Sequence, residues 1–269
     1  IKGYLSGNCA SRWRENSEMR EFTHILALQQ NQPMGKPFTA GQRAKAWAVH
    51  FFTASGILTV FMALLAGTRQ DYAAAMWWLL AAQLIDGVDG TLARYFRVTD
   101  VLPEMSGKRI DFVIDFAAYA IIPAFLIHQA GIIEAPYSLG ATFLILITSA
   151  IYYGKSGMIS DDHYFIGFPV MWNMLAFYLL FIFDWGSWGN LLLILFLAVL
   201  QFLPVKFPYP SRTKRWMGLN IAATVIFVIC FVGTLAYYPR ELGLFYWGSI
   251  GTLLYFALFS VLATFYFKE

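Results

Sequence analysis

The sequence predicts an all-α protein embedded in a lipid bilayer, a polytopic bundle of about eight transmembrane helices with cytoplasmic amino and carboxyl termini. Three observations carry that expectation. Hydrophobic residues fill 59% of the 269 positions and charged residues only 13%, where soluble domains carry about 25% charge. Apolar runs recur at lengths near the ~20 residues that a helix needs to cross hydrocarbon. Lysine and arginine are shared unevenly between the connections, as the positive-inside rule requires of a multi-pass chain.

Residues 1–45 are polar and read as a cytoplasmic amino-terminal segment. Within it, Trp13, Met19, Phe22, Ile25 and Leu26 recur at irregular helical spacing, which suits a helix lying on the membrane surface. Met34 reads equally as an internal start, which would make residues 1–33 a partly non-native leader. No cleavable signal peptide is expected, because no apolar run precedes residue 45.

The membrane-embedded domain is 46–269, with spans expected at 46–66, 72–85, 111–130, 137–154, 168–183, 189–205, 217–238 and 246–267. With the amino terminus inside, all but two of the 19 lysines and arginines fall on the cytoplasmic side. Only Arg69 and Arg240 face across. The net charge of +3 is therefore a topology signal and not a nucleic-acid footprint. Cys9 and Cys230 imply no disulfide or metal framework.

Two carboxylate pairs interrupt this apolar pattern. Asp86 and Asp89 lie in Asp86-Gly87-Val88-Asp89-Gly90-Thr91-Leu92-Ala93-Arg94, and Asp111 and Asp115 in Gly107-Lys108-Arg109-Ile110-Asp111-Phe112-Val113-Ile114-Asp115. An ionised carboxylate in a span costs at least ~2.5 kcal/mol on insertion scales, so such groups mark function by default. Residues three or four apart share a helix face, which makes Asp86, Asp89, Gly90, Ala93 and Arg94 one stripe and Gly107, Asp111 and Asp115 another. Facing stripes crowd four like charges into one volume, and that needs compensating cations. Two hard divalent ions, Mn2+ or Mg2+, suit carboxylate ligands and bridge readily to phosphates. Gly90, Ala93 and Gly107 would let a nucleotide approach the helix backbones.

The pattern D-x2-D-G-x2-A-R followed by G-x3-D-x3-D resembles the signature of the CDP-alcohol phosphotransferase family, integral membrane enzymes that make phospholipids. All eight signature residues are present: Asp86, Asp89, Gly90, Ala93, Arg94, Gly107, Asp111 and Asp115. The connection Tyr95–Ser106 is longer than in most of the family. In that respect, and in the segments Trp47–Thr53 and Ser160–Pro169, the chain resembles the bacterial branch whose members form phosphatidylcholine. The resemblance implies Asp86, Asp89 and Asp111 as metal ligands and Asp115 as general base that also touches a metal. It further implies Gly90, Ala93, Arg94 and Gly107 at the CDP-diacylglycerol site, a homodimer, and a bacterial inner membrane with the site facing the cytoplasm.

For choline as acceptor, acidic and aromatic groups are needed to hold a quaternary ammonium. Asp161, Asp162, His163, Tyr164 and Phe165 offer them in a loop expected on the cytoplasmic side. His50 and Thr53, at i and i+3 on the first span, are the second candidates, because histidine inside a span is uncommon. Serine, inositol phosphate or glycerol phosphate are the alternative acceptors within the family, and a phosphorylated one would call for several basic residues in the pocket. A transporter is the reading from another class. It would spread its acids through the bilayer depth instead of gathering them at one face.

Overall fold

The computed structural model describes residues 38–267. The expectations for a surface helix or a leader before residue 38 lie outside the described residues. Helix α1 (Ala40–Thr68) opens on a reciprocal cap: the Thr39 amide donates to Gln42 Oε1 (2.9 Å), and the Gln42 amide donates to Thr39 Oγ1 (3.2 Å). Each side chain thereby satisfies a backbone donor that the first turn leaves open. Helix α2 (Tyr72–Tyr95) is capped by Asp71, which accepts from the Ala74 amide at 3.0 Å. Two residues beyond its end, Arg97 is held in a left-handed conformation and starts the single turn α3 (Val98–Val101).

Helix α4 (Gly107–Phe116) passes through a π-helical turn (Ala117–Ile121) into α5 (Ile122–Gln129), one continuous rod. Pro123 gives the turn a physical cause. It has no N–H to offer the carbonyl of residue 119, and its ring crowds that carbonyl, so a wider turn at this point relieves both faults. The remaining elements are α6 (Tyr137–Tyr153), β1 (Tyr164–Ile166), α7 (Trp172–Phe181), α8 (Ser187–Leu200), β2 (Lys206–Pro208), α9 (Met217–Tyr237) and α10 (Gly243–Phe265).

Among the described residues, four helices are long and apolar enough to cross a membrane: α1, the α4–α5 rod, α9 and α10; α6, α7 and α8 are apolar but have only 10 to 17 residues. A multi-pass membrane chain is thus supported. The 10 residues of α7 rise about 15 Å, half of the ~30 Å hydrocarbon core, although the sequence suggested a span over 168–183. The apolar run there starts with Gly167-Phe168-Pro169, where a positive φ at Gly167 and the proline keep the backbone out of helix.

A second departure from the all-α expectation is the antiparallel pair β1–β2, in register Tyr164↔Pro208, Phe165↔Phe207 and Ile166↔Lys206. It ties the loop after α6 to the loop after α8. Helix α1 approaches the rod at a small residue: a Cβ on Gly56 would sit 3.2 Å from Ile114. Trp172 and Phe177 of α7 are fully buried, Phe177 packing on Phe231 of α9 at 4.5 Å between centroids. Large apolar side chains such as Phe51, Leu58, Leu244 and Phe265 point outward, as lipid-facing helix surfaces require.

Candidate active site

The carboxylates of Asp86, Asp89 and Asp111 converge. One oxygen from each lies within 4.8 Å of the other two. The carboxyl half of α2 supplies the first pair and the start of α4 the third, so the two predicted stripes do face one another. Asp115 stands one turn further along α4, outside that triplet but close enough to feel the charges of Asp86, Asp111 and Asp89. Among the described residues the ion pairs are Arg97–Asp100 and Lys206–Asp162, and none involves the four signature acids. Interfacial pairing with Arg94, Lys108 or Arg109 therefore does not explain the cluster: Arg94 donates to Thr91 Oγ1 (3.2 Å), and the Lys108 ammonium lies over the Phe112 ring.

The chemistry of this donor set fits a hard divalent cation. Three oxygen ligands of one sign, set a few ångströms apart and lacking a cationic side chain, match what Mn2+ or Mg2+ accepts. Asp86, Asp89 and Asp111 are the residues that would hold such an ion.

The two signature glycines differ in what surrounds them. A Cβ built on Gly90 would meet only the far end of Arg94, 3.5 Å away, while one on Gly107 would meet the His50 ring at 3.3 Å. His50 and Thr53 are both buried on the same face of α1. Thr53 donates to the Val49 carbonyl (3.3 Å) and lies beside the Asp89 carboxylate, and His50 Nε2 has no hydrogen-bond partner. The second acceptor candidates are thus brought to the rim of the acids.

Two tyrosines join the site without having been singled out in the sequence. Tyr119 Oη donates to Asp86 Oδ2 at 2.9 Å. Tyr153, the last residue of α6, lies in the field of Asp115, Asp111 and Asp86 and packs edge-on against Phe112 and Phe116 at 5.9 and 5.8 Å. Tyr119 falls four residues after Asp115, so the same i+4 stripe that marks the acids could have found it. Tyr153 carries no such signal.

The loop Asp161–Phe165 is a built structure. The Tyr164 amide donates to Ser160 Oγ (3.0 Å), Ser160 Oγ donates to Asp162, and Thr213 Oγ1 donates to the His163 carbonyl (2.8 Å). Lys206 enters from β2 with its ammonium 2.7 Å from Asp162 Oδ2 and 5.3 Å from the centre of the Tyr164 ring. Phe165 stacks on Tyr209 at 4.9 Å. A cavity of about 320 Å³ opens here between Asp161, Asp162, His163 and Tyr164 on one side and Lys214, Arg215 and Phe267 on the other. Acid and aromatic ring are thus paired as the sequence suggested, and they hold a cation that belongs to the chain.

No family model matches the chain. Individual proteins do. The phosphatidylcholine synthase of Mesorhizobium japonicum is 36% identical over 221 residues, covering 82% of this chain and 81% of its own length. Those of Pseudomonas aeruginosa and Brucella melitensis are each 40% identical, over 73% and 76% of this chain and 82% and 72% of their own. With the acid signature assembled on facing helices and such identity over most of its length, the chain belongs to the phosphatidylcholine synthase family, whose members are phospholipid-synthesising transferases.

Proposed function

We propose that the protein transfers the phosphatidyl group of CDP-diacylglycerol to choline, giving phosphatidylcholine and CMP. The convergence of Asp86, Asp89 and Asp111, with Asp115 one turn away, is the observation that carries this reading, together with the family. A bond forms between the choline oxygen and the β-phosphorus of the CDP-lipid. The bond from that phosphorus to the bridging diphosphate oxygen breaks, and CMP departs. Asp115 takes the hydroxyl proton, since it is near the acids but outside the triplet. Asp86, Asp89 and Asp111, with Asp115 at the edge, would hold two divalent ions, Mn2+ or Mg2+, which would supply charge neutralisation for the diphosphate. Gly90, Ala93 and Gly107 let the nucleotide approach the backbone, and Arg94 reaches its phosphates.

For the quaternary ammonium, two sets of groups stand as candidates: Asp161, Asp162, His163, Tyr164 and Phe165, and the pair His50 and Thr53. Choline reaches Asp162 and Tyr164 only by displacing the Lys206 ammonium, whereas His50 and Thr53 already border the acids. We further propose a multi-pass topology with cytoplasmic termini and cytoplasm-facing site, in a bacterial inner membrane and as a homodimer. The positive-inside distribution of charge supports that orientation. The activity is tested with purified protein, CDP-diacylglycerol and one acceptor at a time. Lipid product and CMP together with choline, and not with serine, inositol phosphate or glycerol phosphate, is the expected result; lipid formed from another acceptor and not from choline overturns the assignment.

A further inference from the structure

Beside the acids, the most definite contact made by a residue outside the signature is the hydrogen bond from Tyr119 to Asp86, which joins positions 33 apart in sequence. Tyr119 lies in the π-helical turn Ala117–Ile121, whose widened ring is closed by the Ile122 amide donating to the Ala117 carbonyl. Such single wide turns recur at functional sites, because they rotate the side chains that follow relative to an unbroken helix. Here the stripe Gly107, Asp111, Asp115 runs directly into the turn, and the turn delivers a phenol to the facing helix.

We propose that Tyr119 is a positioning residue for the metal centre, fixing the Asp86 carboxylate in the orientation in which it joins Asp89 and Asp111. The inference rests on the reading of that triplet as a metal site. Asp86 is half-buried and meets no cationic side chain among the described residues. A carboxylate on a helix face that lacks a fixed partner can rotate about its side-chain torsions. The phenol takes up Oδ2 and leaves Oδ1 for a cation. A phenol suits this role because it donates one proton, brings no charge to compete with the ion, and has its ring anchored by the α4–α5 rod. Hydrogen-bonded partners of metal ligands of this kind commonly hold 10- to 100-fold in metal affinity.

The test is Mn2+ binding to the full-length protein in detergent, read by the loss of the free-ion electron paramagnetic resonance signal, for wild type, Asp86→Asn and Tyr119→Phe. Tyr119→Phe removes one oxygen and keeps the ring, and its thermal unfolding is recorded beside the titration. The expected result is Mn2+ affinity weaker by about 10-fold or more in Tyr119→Phe, with the unfolding temperature close to wild type. A Phe variant that binds Mn2+ as wild type does overturns the proposal and leaves the metal reading standing. Wild-type protein that binds no Mn2+, or binding unchanged in Asp86→Asn, overturns the metal reading and the proposal with it. A lowered unfolding temperature with unchanged Mn2+ affinity shows that the hydroxyl serves the fold alone, and also overturns it.

Discussion

Gly90→Ala separates what the fold needs from what a ligand needs. The added Cβ would meet only Arg94 Nη1, at 3.5 Å, which is ordinary contact with the movable end of a long side chain. Gly90 also lies inside α2 with a helical backbone, where alanine is favoured over glycine by about 0.5–1 kcal/mol. The variant should therefore unfold at the same temperature as wild type or slightly above it. If the nucleotide lies against the Gly90 backbone, the methyl instead occupies space needed by the ligand. Overpacking of a close contact costs about 1–3 kcal/mol, which corresponds to roughly 5- to 150-fold in KM for CDP-diacylglycerol. Gly87→Ala is the internal control, because its Cβ would meet nothing within 4 Å and Gly87 is not on the acid stripe. CMP release measured against CDP-diacylglycerol concentration, with thermal unfolding in the same detergent, gives both numbers. A Gly90→Ala enzyme with unchanged KM for CDP-diacylglycerol refutes the close approach.

Asp115→Asn should abolish turnover while CDP-diacylglycerol binding survives, whereas Asp89→Asn should weaken binding of both metal and nucleotide; equal loss of nucleotide affinity in the two variants would make Asp115 chiefly a ligand. Lys206→Met tests the loop. If choline uses Asp162 and Tyr164, removing the resident ammonium should lower the choline KM several-fold and Tyr164→Ala should raise it by the roughly 0.5–2 kcal/mol of a cation–π contact; a choline KM indifferent to both leaves His50 and Thr53 as the acceptor groups. The same variant has a pH signature: burial disfavours the Asp162 carboxylate, but hydrogen bonds from Lys206 and Ser160 outweigh it and hold its pKa below the ordinary value. A depressed folded pKa gives stability that is present above the unfolded value and lost as pH falls through the folded one. Wild type should therefore lose thermal stability more steeply than Lys206→Met below about pH 4, and parallel curves would contradict that role.

The four clustered acids could be read from the chain because their information is local. Asp86 and Asp89 repeat at three residues and Asp111 and Asp115 at four, and helical geometry alone turns each spacing into a stripe on one helix face. What surrounds them is set by contacts distant in sequence. Nothing near Asp162 announces that Lys206, 44 residues on, fills the site that its carboxylate and Tyr164 form. Tyr119 sits on the acid stripe by spacing, yet its reach to Asp86 depends on the wide turn beside Pro123, a backbone irregularity that periodicity does not register. For the spans, apolar composition identified the segments and overestimated their helices, since Phe168-Pro169-Val170 is as apolar as a helix but cannot form one. The strands β1 and β2, three residues each, are too short for an alternating pattern to stand out from their aromatic surroundings.

The most direct test of the central claim is the ratio of phosphatidylcholine formed to CMP released, measured on chelator-stripped protein with labelled choline and CDP-diacylglycerol as Mn2+ or Mg2+ is returned. No turnover is expected in chelator and, with metal restored, equal amounts of labelled lipid and CMP that both vanish when choline is left out. Full turnover in excess chelator, or CMP released at the same rate without choline, would contradict it.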